Sequence, residues 1–357
     1  AQAQVVLVGG VLPSAAELIL LDLLAAARRA ELPVPQGPAY EALRSQGASR
    51  QAQVQRERPG LQRKRAVPLL HSFELWKARG GRDQAALRAL CDASGGIGHS
   101  PAATCALLAL SPQSADAWAY LARAGAAFDG ALPTGYPLDR FEQSFALYAL
   151  LINGLLREPA LAAVVAPQVA SLARALTPQG LGCSDAFVTD VDDTAAALAV
   201  LAAWQGEGAR ALPREALRRF LRDDRFLTWE GESLCAPSAN ARAVHALRLL
   251  GEDQPAVRGF LRGLQRADGL WAGDKWHCSP LYVSLHVALE LRPEDEADGA
   301  ALAALAAGLL RAQRADGSFF SVDPAGVDVA AALPLETAFA LTLLCHLARL
   351  PLLPGLP

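Results

Sequence analysis

The chain is 357 residues long and 52 % apolar, enough for one large domain or two with separate cores. A formal net charge of −3 argues against a nucleic-acid binder. Ala and Leu dominate while β-branched and aromatic residues are few, so the expected fold class is all-α.

Thirty Arg stand against three Lys (Lys64, Lys77 and Lys275), and Met is absent even at position 1. The true N-terminus is therefore expected to lie upstream. The six Cys are scattered without a CxxC pair, so they read as buried free thiols in a reducing compartment. Residues 5–27 are rich in Val, Leu and Ala, but Glu17 and Asp22 interrupt them and no basic segment precedes them. They read as a buried helix, not a leader or a membrane span. A soluble, cytoplasmic protein is expected.

In chain order, a first helix is predicted over residues 12–30, ended by Pro33, Pro35 and Pro38. Residues 39–65 are polar and Arg-rich, a solvated helix and loop whose end, Arg63-Lys64-Arg65, is a candidate contact for an anionic group. An apolar helix is predicted over 67–79. The turn Ser94-Gly95-Gly96-Ile97-Gly98 leads into a helix over 102–110. No strand precedes it and no GK[ST] follows, which argues against a nucleotide loop. A second turn at 128–137 leads to a helix over 140–156, and Glu158-Pro159 is a plausible boundary. Helices are then predicted over 160–176, 194–205, 214–222, 239–251, 255–265, 280–291, 300–313 and 335–350.

Two patterns stand out in this second half. Gln265-Arg266-Ala267-Asp268-Gly269-Leu270-Trp271 recurs 48 residues later as Gln313-Arg314-Ala315-Asp316-Gly317-Ser318-Phe319. A repeat of this period built from two helices implies a solenoid or a closed ring of helix pairs. Gln would cap the helix end, Asp-Gly would make the turn and the aromatic would plug the gap between units. The other pattern is Asp190-Val191-Asp192-Asp193-Thr194 at the mouth of an Ala-rich helix. One or two acids there are ordinary helix capping. Three crowd like charges against an apolar wall, so at least one carboxyl should stay protonated near neutral pH. A neutral carboxylic acid in a dry pocket is a Brønsted acid suited to a weak base.

Asp-x-Asp-Asp-Thr-Ala together with Gln-x-x-Asp-Gly-x-Trp turns resembles the class II terpene cyclases. The resemblance is strongest to bacterial diterpene cyclases of the copalyl diphosphate synthase type. Further segments agree in order along residues 12–350. Leu12-Pro13 with Glu17 resembles MPxGFE, and Leu70-His71-Ser72-Phe73-Glu74 resembles LHSLE. Ser100-Pro101-Ala102-Ala103-Thr104 resembles SPxAT, and Pro133, Tyr136-Pro137 and Phe141-Glu142 resemble VPxxYPxxxFE. Ser238-Ala239-Asn240-Ala241 and Asp274-Lys275-Trp276-His277-x-Ser279-Pro280-x-Tyr282 match bacterial members.

The resemblance implies two α/α barrels, a γ-like one over 1–159, incomplete at its start, and a β-like one over 160–357, with the active site between them. It implies protonation of the terminal alkene of geranylgeranyl diphosphate by Asp192, held by Asp190 and Asp193, and closure of two rings with the diphosphate retained. An alkene is a very weak base, so the acid must be neutral, preorganised and dry. Trp229, Trp271, Trp276, Phe319 and Tyr282 are candidates to face the cation, with core packing the plainer role for each. Lys64, Arg65, Lys275 and Arg242 are candidates for the diphosphate. The terminating water of plant members making the ent isomer is held by a His matched by His71 and an Asn whose place Thr134 takes. Magnesium is implied without identifiable ligands: Glu294-Asp295-Glu296-Ala297-Asp298 fits an EDxxD pattern but reads as a solvated turn. A prenyl diphosphate substrate and a downstream class I terpene synthase are the implied partners. No DDxx[DE] motif is present, so loss of diphosphate is not expected. Two alternatives stand beside this reading. One is cyclisation of farnesyl diphosphate to a drimenyl-type product, and the other is a non-catalytic helical toroid.

Overall fold

The computed structural model describes residues 16–34, 36–61, 68–75, 84–229, 235–277, 279–319 and 334–350. The described chain is helical apart from one two-stranded ribbon, β1 (Leu221–Arg222) against β2 (Arg225–Phe226). The all-α expectation holds. The chain divides into two compact units, and the division falls between Glu142 and Gln143. Gly182–Val188 belongs to the first unit and Thr189 onward to the second.

The first unit contains α1 (Ala16–Arg29), α2 (Pro38–Leu61), a 3-10 segment (Pro68–Leu75), α3 (Gln84–Arg88), α4 (Pro101–Leu110) and α5 (Ala115–Ala127). Within the stretch read as an apolar helix over 67–79, the described residues Pro68–Leu75 form this 3-10 segment, with a kink at Ser72. Helix α5 carries Ala117, Tyr120, Leu121 and Ala124 on its buried side and was not anticipated from the sequence. Pro101 opens α4 and Ser100 caps it, accepting a hydrogen bond from the Ala103 amide. Gly98, at φ +56°, lets the 3-10 segment pass: a Cβ there would lie 2.3 Å from the Leu70 carbonyl carbon. The glycine-rich turn is thus a packing device. Its Asp92 accepts from the Ser94 amide and hydroxyl.

The second unit begins within α6 (Asp139–Ile152) and continues through α7 (Ala162–Ala175), α8 (Val191–Gln205), α9 (Glu215–Arg218), α10 (Pro237–Leu249), α11 (Pro255–Gly263), α12 (Pro280–Ala288), α13 (Glu296–Ala312) and α14 (Pro334–Leu347). Helices α8, α10 and α12 are buried on nearly every side. Helices α7, α11 and α13 bury one side only. α8 packs on α10, α10 on α12 and α12 on α14, so the inner helices form a continuous layer. The small side chains Ala195, Ala196, Ala197, Ala199 and Ala202 permit a close approach of α8 to its neighbours. The 214–222 segment, expected as a helix, gives only the short α9, and its end pairs as β1.

The repeat turns are structural, as expected, with a change of role for Gln. Gln265 Nε2 donates to the carbonyls of Gly269 (2.9 Å) and Ala301 (2.8 Å), and Gln313 Nε2 donates to that of Gly317 (3.2 Å). The side chain staples the turn shut more than it caps a helix. Trp271 and Phe319 are sealed in these turns, and Trp271 Nε1 donates to the Leu261 carbonyl (2.7 Å). Both belong to the packing, which corrects their candidacy as cation-facing rings. The repeat also extends further than the sequence shows. The amides of Leu181, Phe226, Trp271 and Phe319 donate to Thr194, Asn240, Ser284 and Thr337, a side-chain oxygen near the start of the next inner helix in each case.

The thiols differ from expectation: Cys105 and Cys345 are exposed, and Cys91, Cys183 and Cys235 are half-buried. Among the described residues no helix is long and apolar enough to cross a membrane.

Candidate active site

Helix α8 starts where an extended residue, Asp190 (φ −134°, ψ 169°), turns into the helix and caps it, Oδ1 accepting from the Asp193 amide at 2.8 Å. The Asp190 amide donates to Leu181 O at 3.0 Å, so the cap is fixed from behind. Asp190 and Asp193 are sealed from solvent. Burial raises both carboxyls, Asp190 to about 7 and Asp193 well above the carboxylate range. Their side chains share one hydrogen bond, which lowers Asp190 and raises Asp193, so Asp193 holds the proton and Asp190 accepts it. Ser144 on α6 donates weakly to Asp193, at 3.4 Å. The expectation of a protonated carboxyl in the cluster is met by this pair.

Asp192 differs from its neighbours. Its side chain is 14 % exposed and faces the guanidinium of Arg242, Nε to Oδ1 2.6 Å. Arg242, on α10, is wholly buried. Burial is the largest influence and opposes its charge, but Asp192, Tyr282 and Tyr148 together outweigh burial and the guanidinium stays charged. The remaining donors go to Tyr282 Oη (Nη1, 2.8 Å) and Ser238 Oγ (Nη2, 3.2 Å), and the Phe145 ring lies 4.8 Å away. Arg242 is therefore committed to the acid cluster, which corrects its candidacy for the diphosphate. Tyr282 is likewise a partner of Arg242. Its ring stacks on His277 at 3.6 Å.

Below these lies a second polar layer that sequence reasoning missed. Tyr148 Oη is 2.7 Å from His245 Nδ1, and Glu290 Oε1 is 3.6 Å from the same nitrogen. Burial lowers His245 to about 3 and raises Glu290 to about 7 despite Arg248, which donates to it at 3.1 Å. His286 is buried, held neutral by burial, and its Nδ1 has no hydrogen-bond partner. The available signal was the spacing of Arg242, His245 and Arg248 within α10, and of Tyr282 and His286 on α12 with Glu290 just beyond its end.

A second group forms beside Ser238. Asp274 accepts from the amides of Ser238 (2.9 Å) and Trp276 (2.8 Å). Lys275, almost wholly buried, lies 5.1 Å from the Trp229 ring and 4.8 Å from the Trp276 ring, and the two indoles meet edge to face. The remaining candidates lie in the first unit or outside the described residues. His71 Nδ1 is 2.9 Å from Gly98 O, and Thr134 is exposed. Lys64 and Arg65 lie outside the described residues, as do residues 12–13 of the MPxGFE-like segment.

Magnesium does not fit the described residues, among which no group of three His, Cys, Asp or Glu could hold a metal ion. The Glu294–Asp298 pattern has a different use. Asp295 caps α13, and Asp298 is fully buried against Arg258 and Arg262. Residues 294–297 are exposed, as expected of a solvated turn, and Asp298 alone is packed into an ion cluster.

No family model matches the chain. It is 38 % identical over 305 residues to the (+)-kolavenyl diphosphate synthase of Herpetosiphon aurantiacus, covering 79 % of this chain and 56 % of that protein. The chain is related to the class II terpene cyclases. To this cyclase group also belongs the copalyl diphosphate synthase of Streptomyces cyslabdanicus, 32 % identical over 204 residues, 53 % of this chain and 36 % of that protein. The cyclase fold agrees as well. The ent-copalyl diphosphate synthase from Streptomyces platensis superposes with a TM-score of 0.64 at 31 % identity, covering 83 % of this chain and 57 % of that one. The chain spans about half the length of the curated relatives it matches.

Proposed function

We propose that the protein containing this chain protonates geranylgeranyl diphosphate and closes it to a bicyclic, copalyl-type diphosphate. The observation that carries this reading is the cluster at the start of α8: two sealed carboxyls sharing a proton, beside one partly open carboxyl paired to a buried Arg. Asp192 is the donor, because of the three it alone is not sealed. In its reactive form Asp192 has taken up a proton; that O–H bond breaks as the proton goes to the terminal alkene carbon, and the C–C bonds of the rings form from successive alkene electron pairs. Arg242 stabilises the carboxylate left behind. Asp190 and Asp193 hold the helix start and supply the protonated environment. Trp229 and Trp276 offer ring faces to the cation, and Lys275 beside them is the candidate to bind the anionic diphosphate. At termination a C–H bond breaks, its electrons become the ring alkene, and the proton leaves to a base. His71 supports that role by its tautomer. Nδ1–H is committed to the Gly98 carbonyl, so Nε2 carries the lone pair. The product keeps its diphosphate and suits a class I synthase as the next enzyme.

The test is incubation of the purified protein with geranylgeranyl or farnesyl diphosphate, with and without magnesium. The products are dephosphorylated and analysed by gas chromatography–mass spectrometry, beside Asp192→Asn. A bicyclic alcohol from geranylgeranyl diphosphate, absent in a folded Asp192→Asn protein, is the expected result. Unchanged prenyl alcohol from folded full-length protein refutes the cyclase reading and leaves the toroidal binding protein. A bicyclic alcohol from farnesyl diphosphate alone shortens the substrate.

A further inference from the structure

Arg242 has a donor engaged on each of its three nitrogens: Nε on Asp192, Nη1 on Tyr282 and Nη2 on Ser238. A planar guanidinium held at all three nitrogens has no freedom to rotate away from its carboxylate. The two hydroxyls that fix it are themselves fixed. The Ser238 amide is tied to Asp274, in the first turn of α10. The Tyr282 amide is tied to the capping Ser279 Oγ (3.1 Å), in the first turn of α12. The Tyr282 ring is wedged against His277, His286 (4.5 Å) and Phe339 (5.1 Å).

We propose that Tyr282 and Ser238 are positioning residues for the acid, acting on Asp192 only through Arg242. This deepens the cyclase reading and rests on it for its catalytic consequence. A cation already aligned on the carboxylate oxygen makes the departing proton's conjugate base more stable, with no reorganisation during the transfer. The strength of the acid is then set by two neutral hydroxyls that never meet the substrate. The ionisable groups around Asp192 are Asp190 and Asp193 on its own helix, Arg242 on α10, Asp274 and His277 on the segment before α12, and Tyr282 on α12. Tyr148 on α6 and His286 on α12 act on Arg242. Burial holds His277 and His286 neutral, so among these groups Arg242 is the cation on Asp192.

The test is Tyr282→Phe, which removes one oxygen and keeps the ring, with Ser238→Ala as a second variant. Loss of the clamp weakens the acid, so kcat falls about tenfold, KM is unchanged, and the alkaline limb of the rate profile moves to higher pH. Products stay the same. Damage to packing alone lowers kcat without that movement. In an Arg242→Met background, Tyr282→Phe should have no additional effect on the urea midpoint, because the partner it serves is gone. That cycle reads the clamp without turnover, so wild-type protein giving no cyclised product refutes the cyclase alone. The clamp is overturned by additive midpoint shifts, by a raised KM with kcat intact, or by an altered product pattern, which would place Tyr282 against the substrate.

Discussion

Replacement of Arg242 by Met removes the buried guanidinium and keeps much of its volume. The Asp192 carboxylate then loses a 2.6 Å charge-assisted hydrogen bond, and Tyr282 and Ser238 lose their donors. Removing one partner of a buried pair costs about 3–5 kcal/mol. Asp192 is 14 % exposed, so water solvates part of the orphaned charge and the lower end applies, ~3 kcal/mol. In a unit of roughly two hundred residues each kcal/mol moves Tm by about 2–4 °C, so a fall of about 6–12 °C is expected. Adding Asp192→Asn removes the stranded charge and should recover stability to within ~1 kcal/mol of wild type. Urea unfolding followed by far-ultraviolet circular dichroism measures each variant. The reasoning fails if Arg242→Met lies within ~1 kcal/mol of wild type, or if the double variant is less stable than the single one.

Stability should also depend on pH, with a sign set by each buried group. Asp190 and Glu290 are both raised to about 7 by burial, so each binds its proton more tightly folded than unfolded. Their contribution is complete below the ordinary carboxylate range and is lost as pH rises through about 7. The neutral buried imidazoles of His245 and His286 act in the opposite sense, losing stability as pH falls through the ordinary imidazole range. The readout is therefore a difference: between about pH 5 and 8 wild type should lose Tm relative to Glu290→Gln, and parallel profiles contradict the burial argument. The two repeat glycines should differ although their sequences match. A Cβ on Gly269 (φ +87°) would lie 2.2 Å from the Ala304 carbonyl oxygen, whereas on Gly317 (φ +83°) its nearest neighbour is Gln313 Nε2 at 3.9 Å. Gly317→Ala should cost about 1 kcal/mol, for backbone strain alone, and Gly269→Ala at least about twice that; equal urea midpoints would refute this.

The helical class, the acidic helix start and two of the repeat turns were legible in the sequence because each is local. Composition sets helix preference, three acids in four positions cannot all ionise, and Asp-Gly in a fixed frame makes a turn. Two further repeats were hidden because the element that recurs is a bond, from a loop amide to a side-chain oxygen of the next helix. Thr194, Asn240, Ser284 and Thr337 all serve, and no common residue marks them. The EDxxD-like segment was legible as a turn except at its last acid. There Arg258 and Arg262 arrive from another helix to bury Asp298.

The same division runs through the site. That at least one of the three acids would stay protonated followed from their spacing. Which carboxyl holds the proton, which accepts it and which pairs with a cation depended on burial and on Arg242, 50 positions away in sequence. From sequence Arg242 was a candidate for the diphosphate, because nothing local ties it to the acids. Its charge became part of the acid cluster because α8 and α10 pack side by side, and the cost of burying a charge leaves it no partner but the nearest carboxylate.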